Sequence, residues 1–302
     1  VDHRPPPESN QKDGSPVGLV GVGLLGLAIA ERLRGAGHDV LAWDREPGRV
    51  ESLAALGGRP ACGLDDVFAS CRRVVLCLPT HEVVADVLRS AGPDLRAGQC
   101  VIDTSTGTPE AAIEQSERLA PQGVNYLDAT VSGSSEQMRR GQAILLVGAT
   151  ETGFFSCLDL FSCLGAQTIH AGEVGSGSRA KLVTNLVLGL NRAALAEGLV
   201  FADSLGLGPA LALEVLRAGA SYSRIMDAKG PKMIASDFAP QARLSQHLKD
   251  VRLILDLARD AGRKLPLSEA HRALLESAVA SGWGDLDNSA IIEALRGSGH
   301  DE

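Results

Sequence analysis

Apolar residues in the first half of the chain come in short continuous runs, at residues 17–22, 39–44, 73–79, 100–104, 124–128, 143–147 and 167–170. Between them lie stretches with apolar positions three and four residues apart: 25–35, 48–56, 81–91, 109–120 and 152–164. Continuous runs bounded by turns predict strands buried on both faces, and the spaced stretches predict helices between them. The alternation predicts an α/β unit: a doubly wound parallel sheet covered by helices. Beyond residue 170 the strand pattern stops. A long helical pattern covers 176–205, and shorter ones follow at 209–217, 221–236, 244–261, 266–281 and 289–296. The second half is therefore expected to be an all-helical C-terminal domain, joined to the first by a long interdomain helix. The domains are predicted as 16–175 and 176–302, with the boundary where Gly172, Gly175 and Gly177 punctuate the chain. No internal repeat is visible. Residues 1–15 are polar and proline-rich, lack the apolar segment of a signal peptide, and are expected to form a disordered tail.

Composition narrows the classes of function. The 302 residues carry 29 Lys and Arg against 37 Asp and Glu, a net charge of −8. That balance argues against general binding of nucleic acid or anionic membranes, and an aromatic content of 3% argues against a base-stacking platform. The apolar stretch 182–201 is interrupted by Asn185, Asn191, Arg192 and Glu197, so it reads as a buried helix, not a membrane span. The six cysteines form no C-x-x-C pair and mostly sit in apolar runs, as in a reduced, cytoplasmic protein. The seven histidines have no ligand spacing, so no metal is expected.

The first predicted strand runs into Gly21-Val22-Gly23-Leu24-Leu25-Gly26, followed by an alanine-rich helix. This is the G-x-G-x-x-G of a Rossmann-type dinucleotide site: a tight turn, a close approach of backbone to pyrophosphate, and close helix–strand packing. The helix N-terminus supplies amide donors and positive potential to the phosphates. Asp44 ends the next strand, where an acid meets the adenosine ribose. It favours the 2′-hydroxyl of NAD and repels a 2′-phosphate. Arg45 follows at once and leaves NADP open. NAD is favoured.

The long helix opens at Gly175-Ser176-Gly177 and carries Lys181 and Asn185, spaced i, i+4 on one face. A lysine among apolar residues at a helix start either snorkels to the edge or works. An alcohol being oxidised loses a proton as hydride leaves, and a positioned amine can take it.

With these motifs in order, the chain resembles the β-hydroxyacid dehydrogenase family, which includes 3-hydroxyisobutyrate dehydrogenase and tartronate semialdehyde reductase. Besides the fingerprint, Asp128-Ala129-Thr130-Val131-Ser132-Gly133-Ser134 is similar to the family's D-A-P-V-S-G-G segment. Gly175 to Asn185 is similar to its G-x-G-x-x-x-K-x-x-x-N segment, Lys249-Asp250 to its K-D pair, and Asp287-Asn288-Ser289-Ala290 to its late D-x-S-A element. The resemblance implies hydride transfer between NAD(P) and a small 3-hydroxy or 3-oxo acid, with Lys181 as general acid/base. It places Ser132, Gly133 and Ser134 at the substrate carboxylate and Asn185 beside the reacting oxygen. It places Lys249, Leu78, Pro79 and Thr106 along the cofactor groove, and it implies a homodimer or homotetramer. Thr130 stands where the family has proline, and Ser134 where it has a second glycine; both are expected to reshape the carboxylate turn. Arg139 and Arg140 read as solvated charges or as attractors of an anion. Two other readings share the architecture. An imine reductase usually replaces the lysine. A dinucleotide-binding sensor without turnover typically loses it as well.

Overall fold

The computed structural model describes residues 14–297. Most of the expected tail, residues 1–13, lies outside this range. The chain divides into two compact units, one ending at Lys181 and the other beginning at Leu182. The division falls inside the long helix, not at its start.

The first unit is built on an eight-stranded sheet in the order β3-β2-β1-β4-β5-β6-β7-β8. The strands are β1 (Val17–Val20), β2 (Val40–Trp43), β3 (Arg59–Pro60), β4 (Arg73–Leu76), β5 (Cys100–Asp103), β6 (Asn125–Ser132), β7 (Ile144–Gly148) and β8 (Gln167–Gly172). The four strands β1, β2, β4 and β5 run side by side and parallel. The strand order reverses between β1 and β4, the place where doubly wound sheets bind ligands at the carboxyl ends of their strands. Apolar clusters fill both faces, with Leu19, Ile29, Val75 and Ile102 in one and Val20, Phe68, Leu76 and Val101 in the other.

The prediction of an all-parallel sheet is corrected at one place: β6 and β7 pair antiparallel. Only eleven residues separate Ser132 from Ile144, and they hold the short helix α6 (Ser135–Arg139). A parallel crossover needs a dozen or more. β6 also runs four residues past the predicted end at 128, to Ser132. Among the elements not anticipated are β3, an exposed two-residue edge strand containing proline, α3 (Leu64–Ser70) and α6. The remaining helices of this unit are α1 (Leu24–Gly35), α2 (Pro47–Ala54), α4 (His81–Ser90), α5 (Pro109–Leu119), α6 (Ser135–Arg139), α7 (Glu151–Ser156) and α8 (Leu158–Leu164). The predicted helix over 152–164 is thus two, broken at Cys157.

α9 (Ser176–Ser204) carries the chain into the second unit. α10 (Pro209–Ala218), α11 (Arg224–Ala235), α12 (Leu244–Asp260), α13 (Pro266–Ala280) and α14 (Ile291–Gly297) follow. Leu195, Leu199, Met233, Leu248, Leu275 and Ile291 belong to one apolar cluster in this unit. The predicted helix over 289–296 begins as a 3-10 turn at Asn288–Ala290.

Candidate active site

In the first unit the predicted cofactor residues gather at the carboxyl ends of neighbouring strands. Gly21–Gly26 follow β1, Asp44 and Arg45 follow β2, Leu78 and Pro79 follow β4, and Thr106 lies beyond β5. Gly21 has φ +97°, and a Cβ on it would stand 2.3 Å from the Cys77 carbonyl oxygen after β4. A Cβ on Gly26 would meet the Gly21 carbonyl, so the helix packs directly on the turn. At Gly23, by contrast, a Cβ meets no protein atom. Protein packing does not require glycine there, whereas close approach of a phosphate does. Leu24 begins α1 exposed, and Val22 and Leu25 turn inward.

Asp44 is buried and accepts hydrogen bonds from the Val22 and Glu46 amides, at 2.7 and 2.9 Å. Those donors fix the carboxylate while its remaining lone pairs stay available to a ribose diol. Arg45 is exposed. Arg49, which sequence reasoning missed, pairs with Glu46 at 2.9 Å and lies 3.8 Å from Asp44. The glycine cradle and this carboxylate fit a dinucleotide.

Below the crevice lies a polar network that the sequence did not reveal. The Leu78 amide donates to Ser105 Oγ at 3.0 Å, tying the loop after β4 to the loop after β5. Asp103, at the end of β5, accepts from the Ser105 amide at 2.9 Å and from the Tyr126 hydroxyl at 2.6 Å. Burial pushes the Asp103 carboxyl up and raises the Tyr126 phenol well above its usual range.

Lys181 is positioned by β6. Asp128 is buried in that strand and accepts from the Gly175 amide at 2.8 Å and the Ser178 amide at 2.6 Å, capping α9 from outside. Burial raises its carboxyl to about 6. Gly177 permits the close approach, since a Cβ there would stand 2.4 Å from the Asp128 carbonyl. One turn on, Lys181 Nζ donates to the Val131 carbonyl at 2.6 Å, next to Ser132. The ammonium is buried yet hydrogen-bonded at the end of β6.

The two departures from the family pattern resolve locally. Thr130 is fully buried, and its hydroxyl reaches the Gly177 carbonyl at 3.1 Å and the Leu146 carbonyl at 3.3 Å. It ties β6 to α9 and β7, so its hydroxyl is spent on packing these elements together. Ser134 has φ −83° and caps α6 in a capping box with Gln137. That backbone suits any residue, so glycine is not needed. Gly133 is different: φ is +149°, and an added Cβ would meet Ala143 at 3.3 Å. Arg139 pairs with Glu31 on α1 and Arg140 with Glu136, so both are partnered surface charges.

In the second unit, Asn185 Nδ2 donates to Asp250 Oδ2 at 3.0 Å, and Lys249 lies 3.3 Å from Asp250 Oδ1. A carboxylate only accepts, so this bond sets the orientation of the Asn185 amide. The Asp250 carboxyl is buried and Lys249 partly exposed. Among the described residues, no group of His, Cys, Asp and Glu is arranged to hold a metal.

Residues 16–172 match the NAD binding domain of 6-phosphogluconate dehydrogenase, and residues 175–295 match the NAD-binding domain of NADP-dependent 3-hydroxyisobutyrate dehydrogenase. The chain belongs to the β-hydroxyacid dehydrogenase family. Among its relatives, glyoxylate/succinic semialdehyde reductase 2 of Arabidopsis thaliana is 31% identical over 93% of this chain and 79% of that protein. The 2-(hydroxymethyl)glutarate dehydrogenase of Eubacterium barkeri is 31% identical over 92% and 93%. Among solved structures, 3-hydroxyisobutyrate dehydrogenase of Mycobacterium tuberculosis with L-serine superposes with a TM-score of 0.84 at 27% identity, covering 93% of this chain and 99% of that one. Within this family the chain carries NAD(P)-binding domains.

Proposed function

We propose that the protein transfers hydride between a nicotinamide cofactor and a small 3-hydroxy or 3-oxo acid, with Lys181 moving the proton. The carrying observation is the buried Lys181 ammonium, held at the Val131 carbonyl beside Ser132 and Gly133. The named relatives support a small carboxylic acid carrying an aldehyde or an alcohol, and 2-(hydroxymethyl)glutarate among their substrates is a 3-hydroxy acid. Glyoxylate and succinic semialdehyde are carboxylic acids with an aldehyde, and 2-(hydroxymethyl)glutarate is one with a hydroxymethyl group.

The bound nicotinamide supplies or takes up the hydride. Gly21–Gly26 hold the pyrophosphate on the backbone amides of the turn and the α1 N-terminus. Asp44 takes the ribose hydroxyls, which favours NAD, while Arg45 and Arg49 are the cations placed to serve a 2′-phosphate. Leu78, Pro79 and Thr106 line the groove, and Lys249 reaches the cofactor near its nicotinamide. Ser132 and the Gly133 amide hold the substrate carboxylate. Asn185, its amide oriented by Asp250, presents Oδ1 as an acceptor to the reacting hydroxyl. In oxidation, neutral Lys181 takes the hydroxyl proton. In reduction, its ammonium polarises the carbonyl and returns the proton to oxygen.

The same reading includes a homodimer or homotetramer in the cytoplasm. α9 exposes Val183 (66%), Val187 (50%) and Phe201 (61%), and Leu205 (67%) follows just past its end, a set of apolar positions suited to a second copy of the chain.

The test follows absorbance at 340 nm with NADH and NADPH, or their oxidised forms, against a panel of small semialdehydes and 3-hydroxy acids. Lys181→Ala is expected to lose about 10²–10⁴-fold in kcat while still binding cofactor. Near-normal turnover in that variant would overturn the assignment.

A further inference from the structure

In the helical unit, α9, α12 and α13 bring polar side chains into an otherwise apolar interior. Gly189 on α9 makes room for two imidazoles: a Cβ there would stand 2.6 Å from His247 Nε2 and 2.6 Å from His271 Cε1. The two rings lie 5.2 Å apart, one from α12 and one from α13. Three residues beyond Gly189 on α9 is Arg192, 1% exposed and among the largest fully buried side chains of the protein. A buried guanidinium ordinarily meets a carboxylate with both arms of its fork. Arg192 does not. Its Nε and Nη2 have no acceptor among the described residues, and neither has His271 Nε2 a partner.

The charges do not balance either. The carboxylate whose field reaches Arg192 is Asp287. That carboxylate is already bonded to Lys229 at 2.7 and 3.0 Å, and it also accepts from the amides of Gln241, Ala242 and Ser289 and from the Ser289 hydroxyl. Two buried cations thus share one carboxylate. Burial lowers Arg192 only to about 10, so it stays charged at neutral pH, whereas burial and Arg192 hold His271 at about 4, so it stays neutral. An uncompensated positive charge in such an interior costs several kcal/mol unless an anion joins it.

We propose that the helical unit binds a small monovalent anion of halide size against the guanidinium of Arg192, between α9, α12 and α13. The Arg192 N–H groups supply the hydrogen bonds, and the single charge leaves the interior neutral; a divalent oxyanion would leave it net negative. The site is separate from the proposed substrate position. Arg192 is eleven residues beyond Lys181, roughly 16 Å along a helix at about 1.5 Å per residue, farther than a small acid held at Lys181 can reach.

The experiment is thermal unfolding of the whole chain at constant ionic strength, with sodium chloride replacing sodium gluconate. The wild type is expected to gain about 2–4 °C in Tm when chloride exceeds its Kd about tenfold. Arg192→Met is expected to lose this dependence while remaining at least as stable in gluconate. A wild-type Tm indifferent to chloride, or an equal chloride effect in the variant, overturns the proposal. Should Arg192→Met fail to fold, crystals of the wild type grown in sodium bromide decide. A bromide anomalous peak beside the guanidinium supports the site; a water there, without anomalous signal, refutes it.

Discussion

Replacing Asp287 by asparagine keeps the side chain's shape and removes its charge. The carboxylate is fully buried and holds Lys229, whose side chain is 6% exposed, at 2.7 Å. At that distance and an effective dielectric constant of about 20, the two charges attract by about 6 kcal/mol, before the desolvation of both is subtracted. Leaving a buried ammonium unpaired ordinarily costs about 3–5 kcal/mol, and Asp287→Asn is expected to fall in that range, lowering Tm by about 10 °C. Lys229→Met should cost less, because Asp287 keeps the amides of Gln241, Ala242 and Ser289 and the Ser289 hydroxyl. The double variant should be more stable than Asp287→Asn alone by about 2 kcal/mol, since it leaves one buried cation, Arg192, without a carboxylate instead of two. Burial alone would push Asp287 up, but Lys229 and the donated hydrogen bonds outweigh it and hold the carboxyl below its ordinary value. Its contribution is therefore complete above the unfolded pKa, about 3.9, and is lost as pH falls through the lower folded value. Urea unfolding at pH 7 and pH 3 measures all of this. A loss under about 1 kcal/mol at pH 7, or a double variant weaker than Asp287→Asn, would refute the reasoning.

Asp128 has the opposite sign. Burial raises it to about 6, so wild-type stability should decline by up to about 3 kcal/mol as pH rises from about 4 to 6, and urea unfolding of Asp128→Asn should lack that slope. Gly133→Ala forces a side chain into φ +149° against Ala143 and should raise the KM for the acid about tenfold or more, whereas Ser134→Gly should leave it within about twofold and cost only a few tenths of a kcal/mol in stability. Gly26→Ala places a Cβ on the Gly21 carbonyl and should weaken cofactor binding by more than about tenfold in a fluorescence titration. Thr130→Val should lose about 1 kcal/mol, the usual worth of one hydrogen bond, in denaturant unfolding.

The strand–turn–helix of the dinucleotide site was readable because each glycine answers a local need. The placement of Lys181 and Asn185 on one helix was readable because both lie in an uninterrupted helical pattern at i, i+4. What stayed hidden depends on residues distant in sequence. The direction of β7 follows from the shortness of its connection to β6, which apolar runs do not report. β3 has no apolar run at all. The roles of Asp103, Tyr126 and Ser105 emerge only when β5 and β6 pair. Thr130 and Ser134 read as changes to the pocket because sequence gives no direction to a side chain. In the fold one hydroxyl crosses to α9 and the other caps α6. Asp287 read as part of a family element, and its hub of donors from α11, from Gln241 and Ala242 and from the 3-10 turn at Ser289 appears only after folding.

α9 runs unbroken from Ser176 to Ser204, so it acts as a ruler engraved with chemistry. The amine and the amide are marks on one rod, and their separation is set by helical pitch. Point substitutions elsewhere leave that interval untouched. Inserting a single residue between Lys181 and Asn185 would swing every later mark by about 100°, carrying Asn185 off the shared face with Gly189 and Arg192 behind it. This stretch should therefore tolerate changes of letter far better than changes of length.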